Sequence, residues 1–262
     1  MAKRYEQIAD TLRTEIRAGQ LNPGDRLPSE TALAERFKVS VPTIRQALGV
    51  IQGEGLVEKR HGTGNFVRRP RTTIHRTNER HQWEKDRVRQ PQSERVKTGA
   101  TEHDTGLVVD DLVFHAEYQA ATATEDLAQA FDVPVGTELV ERRYQTRYNR
   151  EDAPFSLVRS YLVRDTVSSN PDLLDAANEP WPGGTQSQLH TIGIELDRIT
   201  ERVTARPPTV EEAESLGLTA GVSVLIVRKT SFDTQGRVVE LSDITLPGDR
   251  TEMLFTTPLS RW

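Results

Sequence analysis

Early in the chain the apolar positions fall at helical spacing. Tyr5, Ile8, Leu12 and Ile16 predict a first helix over residues 4–18, closed by Gly19 and the turn Asn22-Pro23-Gly24-Asp25. Ser29 stands ahead of Leu33, Ala34 and Phe37, where its hydroxyl can cap a short second helix that Lys38-Val39-Ser40 breaks. Ser40 is expected to cap a third helix. Pro42 falls in its first turn, and Ile44, Ala47, Leu48 and Ile51 line one face. Thr43, Arg45 and Gln46 are left facing outward. Gly53 and Gly55 stop this helix, and two short strands, 56–59 and 65–67, flank the turn His61-Gly62-Thr63-Gly64. The product is three helices and a wing, with the steep helix pair of a helix-turn-helix.

Large apolar residues then thin out. Over residues 68–104 only Ile74, Trp83, Val88 and Val96 stand among charges, with Pro70 and Pro91 as punctuation. Such a stretch predicts a linker that cannot close its own core. Arg68, Arg69 and Arg71 fit either a position beside phosphates or a solvated connection, and Trp83 fits docking on a domain surface. Beyond residue 104 the pattern mixes periods. Strands are expected over 107–118, 138–147, 155–163 and 194–203, with helices over 124–131, 186–191 and 210–216. A final hairpin, 222–231 with 237–246, turns at Asp233-Thr234-Gln235-Gly236. Hairpin-linked strands with interspersed helices predict an α+β domain on an antiparallel sheet. The domain plan is therefore 1–70, a linker over 71–104, and 105–262.

Composition narrows the chemistry. With no cysteine among 262 residues there is neither a disulfide framework nor a thiolate zinc site, and the six histidines lack metal-ligand spacing. No metal and no cofactor are expected. No apolar run is long enough to span a bilayer, and the amino terminus carries no signal-peptide pattern, so a soluble cytoplasmic protein is expected. The net charge of −5 divides unevenly: residues 1–71 carry 13 Lys and Arg against 8 Asp and Glu, and residues 72–262 carry 21 against 31. A balance of +5 at one end and −10 over the rest draws a polyanion to the first domain and repels it from the second. Gly62-Thr63-Gly64 lacks the strand-loop-helix context and following Gly-Lys of a nucleotide phosphate loop.

The segments PGDRLPSE, VSVPTIRQAL and HGTGNFV resemble the winged helix-turn-helix of the GntR family of bacterial transcription regulators. GIELDRITERVTARPPTVEEAESLGL, GVSVLIVRKTSFDTQGRVVELSDI and the closing PGDR resemble the UTRA effector domain of its HutC-type branch. The resemblance implies a chorismate-lyase-like second domain and a homodimer. Its partners would be a double-stranded operator with an inverted repeat and a small carboxylated or phosphorylated metabolite. Carried over by position, Arg45 matches the arginine that forks onto guanine, while Ser29, Ser40 and Thr43 fit phosphate contacts. His61, Gly62, Thr63 and Gly64 fit a wing tip at the minor groove, and Tyr5, Pro42, Gln46 and Lys59 complete the expected DNA face. Two positions depart from the family pattern. Thr31 and Val41 stand where arginine is frequent, which predicts an operator with fewer fixed guanines.

For the effector, the resemblance implies anion-holding arginines on the strand that here reads Glu141-Arg142-Arg143. Alternation lets only one of the two face a shared pocket, and the residues sharing a face with Arg143 favour it slightly over Arg142. Ser160 and Glu240 match polar positions at the same mouth, and Arg228 fits either a ligand contact or a structural ion pair. Leu246, in place of a frequent aromatic residue, argues against a stacked amino-sugar phosphate. Two alternatives stand beside the ligand-controlled regulator. One is a DNA-binding or plasmid-maintenance repressor without a ligand. The other is a lyase-type enzyme with Arg143 and Glu240 as anion clamp and acid, for which no convergent His or Cys pair exists.

Overall fold

The computed structural model describes residues 3–60 and 62–260. The chain forms two compact units. The first comprises residues up to Arg71 together with Pro207–Ser223, and the second Thr72–Arg206 with Val224 onward.

The first unit contains α1 (Arg4–Arg17), α2 (Glu30–Phe37), α3 (Val41–Gly53), and a wing of β1 (Val57–Arg60) and β2 (Gly64–Val67). Its core is the expected apolar set: Ile8, Leu12, Leu33, Ile44, Leu48 and Ile51 are almost wholly buried. Burying each such side chain is worth about 2 kcal/mol. Ser29 Oγ accepts from the Ala32 amide at 3.1 Å and caps α2, and Lys38 ends that helix in the left-handed region at φ 53°. Ser40 holds the N-cap position of α3, but its side chain accepts no such bond from a helix amide. Its hydroxyl lies 3.0 Å from that of Thr43 instead. The wing is fixed to α3 through buried Asn65, whose Oδ1 accepts from Gln52 Nε2 at 2.9 Å.

The second unit opens with β3 (Ile74–Thr77), α4 (Arg80–Arg87), α5 (Gln92–Arg95) and α6 (Ala100–Thr105). It continues with β4 (Leu112–Thr122), α7 (Glu125–Phe131), β5 (Glu138–Tyr148), β6 (Leu157–Val163), α8 (Arg164–Val167), α9 (Gly184–His190) and β7 (Leu196–Arg206). After α10 (Val210–Ser215), which groups with the first unit, come β8 (Val224–Asp233), β9 (Val238–Pro247) and β10 (Thr251–Leu254). Six strands make one antiparallel sheet in the order β4-β5-β6-β9-β8-β7. β10 pairs in parallel with β3 in a separate two-stranded ribbon.

The stretch 71–104 departs from the expected linker. It is folded, and its interior is ionic rather than apolar, which is why a count of large apolar residues misreads it. Buried Arg80 meets Asp104 at 2.6 Å and Glu84 at 3.3 Å. Arg87 Nη2 donates to the carbonyls of Arg95 and Thr98 and its guanidinium lies over Trp83, which itself packs on His103 at 4.2 Å. β4 also begins later than the pattern suggests, because residues 109–111 form a 3-10 turn after Gly106.

Candidate functional site

Two surfaces carry the candidate chemistry, one in each unit. On the first, α3 leaves Arg45 and Gln46 exposed and Thr43 partly so, while Ala47 and Leu48 face the core. Arg45 Nε is held by Glu30 Oε2 at 2.7 Å, an exposed pair that keeps the guanidinium extended between α2 and α3. Ser29, Thr31, Ser40 and Pro42 are exposed near the two helix starts. In the wing, Lys59 and Gly62 are exposed, and Gly62 takes φ +71°, a conformation that favours glycine at the tip. Thr63 is also exposed, and Gly64, half-buried at φ +131°, begins β2. His61 lies outside the described residues. Tyr5 is half-buried against the helical core beneath Lys3, so its ring serves packing first.

The second surface is the inner face of the six-stranded sheet. Cross-strand register sets Tyr118, Arg142, Ser160, Ser242, Lys229 and Glu201 side by side in one row across all six strands. All six are polar. Glu240, two residues from Ser242 on β9, gathers the row together. Its Oε1 accepts from Ser160 and Ser242, both at 2.9 Å, and its Oε2 from Ser231 at 3.0 Å and Lys229 at 2.9 Å. Arg142, fully buried, donates to Ser160 Oγ and Gln188 Oε1, both at 2.7 Å, and reaches Glu240 at 3.4 Å. Burial by itself opposes ionisation of Glu240, but the Lys229 ammonium, the Arg142 guanidinium and the hydroxyl donors outweigh it and hold its pKa at about 2. Glu179 closes the far end, accepting from Tyr144 at 2.9 Å, Gln188 at 2.9 Å and Tyr118. Burial raises the Tyr144 phenol well above its ordinary value, so it stays a neutral donor.

This row borders a cavity of about 660 Å³ between the sheet and the cover formed by β3, α4, α6 and the 179–186 segment. Such a volume suits a small-molecule ligand. Ser160, Lys229, Glu240 and Ser242 line it from the sheet, and Arg76, Arg80 and His81 from the cover. His81 Nε2 lies 3.3 Å from Glu201 Oε1, and Arg76 Nη2 is 2.9 Å from the same oxygen.

Two expectations on this face are corrected. Arg142, not Arg143, points inward, since Arg143 lies on the outer face, part-exposed, with Nε 2.8 Å from Glu141. Apolar neighbours do not discriminate the faces, because Leu139 and Val140 are both buried, under α7 on one side and the α8–α9 cluster on the other. Arg228 also faces out and is an ion-pair partner of Asp243 at 2.7 Å and Asp126 at 2.7 Å. Lys229, Ser242, Gln188, Arg76 and Arg80 were not anticipated. Hairpin parity held the signal for Lys229: if Glu240 faces inward, its cross-strand neighbours on β8 are the odd-numbered positions. Among the described residues no group of His, Asp and Glu is arranged to hold a metal ion. Among the same described residues no helix is long and apolar enough to cross a membrane.

Residues 4–67 match the model for bacterial regulatory proteins of the gntR family, and residues 115–252, more than half of the chain, match the UTRA domain. The chain belongs to the GntR family of regulators and carries a UTRA domain. It is similar to an HTH-type transcriptional regulator of Rhizobium meliloti, 28% identical over 97% of this chain and 94% of that protein. It is also similar to the HTH-type transcriptional repressor NagR of Bacillus subtilis, 26% identical over 94% of this chain and 91% of the repressor. A crystal structure of a GntR-family transcriptional regulator superposes with a TM-score of 0.64 at 26% identity, covering 98% of both chains. This GntR-family chain thus pairs a DNA-binding winged helix with a UTRA ligand-binding domain on an antiparallel sheet.

Proposed function

We propose that this GntR-family regulator is a repressor that grips an inverted-repeat operator as a homodimer, and that a small metabolite in the sheet cavity alters that grip. The observation that carries the reading is the pairing of an outward polar edge on α3, Thr43-Arg45-Gln46, with a polar, part-enclosed cavity in the other unit. Arg45 would leave Glu30 and fork onto guanine O6 and N7, while Thr43, Ser29 and Ser40 would contact phosphates. Thr31, Pro42, Gln46 and Lys59 would flank these contacts, with the wing tip Gly62-Thr63-Gly64 toward the minor groove. In the cavity, Ser160, Lys229 and Ser242 would meet the ligand, with Arg142 and Glu240 orienting them. Ligand transmits a signal only if it binds two arrangements of the chain with different affinity. A regulatory rather than enzymatic role agrees with the site, where Glu240 is saturated by five donors and has no free lone pair for acid–base work.

Sedimentation of the protein with a selected operator duplex tests the assembly. Two chains per duplex are expected, and one chain per duplex contradicts the reading. The same complex titrated with salt is expected to show a steep linear fall of log affinity with log salt, as phosphate contacts require.

A further inference from the structure

The segment just ahead of α2 belongs to the wing. The Gly24 amide donates to the Val67 carbonyl, the Val67 amide to that of Asp25 and the Leu27 amide to that of Asn65, each at 2.8 Å. Residues 24–27 therefore lie antiparallel along β2, with Arg26 opposite Phe66. Side chains alternate along this third strand. Leu27 turns into the core, and Arg26 is exposed on the face it shares with Phe66 and Glu58. From there Arg26 runs toward the tip. A Cβ on residue 64 would lie 3.1 Å from its Nε and 3.4 Å from its Nη2, so the guanidinium takes up space that a side chain at Gly64 would need. Gly64 closes the tip Gly62-Thr63-Gly64. Ser29, farther along the same segment, caps α2 at the other margin of the expected DNA face.

Arg26 differs from its neighbours in having no acid. Arg45 is tied to Glu30, and Arg60 is tied to Glu58 while lying over the Phe66 ring. Among the described residues Arg26 makes no hydrogen bond or ion pair, although its backbone is pinned to β2. Its charge is thus uncompensated and held beside the tip. The glycines keep that tip thin, as a minor groove about 6 Å wide requires, and a planar guanidinium lying against Gly64 adds little bulk. Narrow A·T-rich grooves concentrate negative potential and draw arginine in. A G·C pair places the guanine 2-amino group, itself a donor, in the path of such a side chain. α3, by comparison, carries a single cationic side chain, Arg45, which leaves the major groove with one guanidinium from that helix.

We propose that Arg26 is a specificity-determining residue of the wing, entering the minor groove beside Gly64 and selecting A·T-rich sequence next to each α3 contact. This rests on the reading that the wing tip faces the minor groove.

The test titrates the full-length protein with three versions of its selected operator, in which the base pairs on either side of the Arg45 contact in each half-site are all A·T, all G·C or all inosine·C. Inosine lacks the 2-amino group, so inosine·C keeps the major-groove edge of G·C and presents the minor-groove edge of A·T. The native protein is expected to bind the inosine·C version about tenfold more tightly than the G·C version. Arg26→Ala should bring that ratio to within about twofold of one, and so should Arg26→Lys, whose compact, strongly hydrated ammonium restores the charge but not the planar fork. Thermal unfolding verifies that both variants fold. Equal affinity of the native protein for the G·C and inosine·C versions overturns the proposal and leaves the regulator reading intact, since the operator is still bound. A ratio that Arg26→Ala leaves in place gives the groove to another residue and overturns the proposal. A loss in Arg26→Ala that is uniform across the three versions and recovered by Arg26→Lys makes Arg26 a phosphate contact, and also overturns it. Failure to select any operator overturns the regulator reading itself, and the proposal with it.

Discussion

Arg45 and Glu240 carry the two halves of the account at the residue scale. Arg45 is exposed and, among the described residues, held only by Glu30, so Arg45→Ala should leave the melting temperature of the first unit nearly unchanged. Any effect on binding is then a contact effect. Glu240 is the reverse, a carboxylate wholly inside the fold. Its pKa is depressed from 4.5 to about 2, so its stabilisation is complete above about pH 4.5 and disappears as pH falls toward 2. Glu240→Gln should cost on the order of 3 kcal/mol near neutrality, and the gap to the native protein should close on acidification through that window. Urea unfolding at stepped pH reads this directly, and a gap independent of pH would refute it. Glu201, held at about 2 against burial by His81 and Arg76, loses its contribution over the same range.

At the element scale, helices whose packing and capping are local were legible, and elements stabilised by distant partners were not. α1, α2 and α3 declare themselves through Ile8-Leu12, Ser29 and Pro42 because each signal lies within a turn or two of the element it specifies. Ser29→Ala should cost about 1 kcal/mol by uncapping α2, measured by chemical unfolding. β3 is different: its partner β10 lies at the other end of the second unit's sequence, and nothing in Ile74-His75-Arg76-Thr77 announces a parallel pairing with residues 251–254. α4 and α6 were hidden for a second reason. Their mutual contact is Arg80 with Asp104, which in sequence resembles any solvated pair of charges. Asp104→Ala should cost about 2 kcal/mol because it leaves the buried Arg80 guanidinium with only the more distant of its two carboxylates, Glu84, whereas the same change at an exposed aspartate such as Asp110 should cost almost nothing. Equal effects of the two substitutions would show that α4–α6 is not held as described.

For the molecule as a whole, the division of charge foreseen from composition coincides with the division of tasks. The winged unit bears the basic excess and the sheet unit the acidic one. The site was half legible. Arg142, Ser160 and Glu240 were singled out by position, but which arginine turns inward depends on what covers each face of β5, information that lies in α7 and α9 rather than in the strand. The chain also returns to the first unit after β7. Leu216 is buried there, its carbonyl accepting from Arg71 Nη2 at 2.9 Å, and Gly221 abuts the Gly53 backbone. A Cβ on residue 221 would lie 2.8 Å from the Gly53 carbonyl at φ +88°, so Gly221→Ala should lower the stability of the first unit by about 1–3 kcal/mol. Proteolytic susceptibility of residues 207–223 would rise with it, and an unaltered digestion pattern would contradict that packing.

The central claim is that the exposed edge of α3 reads a duplex in pairs. In vitro selection with the full-length protein, followed by affinities for the selected and a scrambled duplex at two salt concentrations, tests it most directly. The account predicts an inverted repeat, and a specific-to-scrambled ratio that Arg45→Ala lowers by about tenfold or more while scrambled binding persists. A ratio that Arg45→Ala leaves untouched, or selected sites without two-fold symmetry, would contradict it.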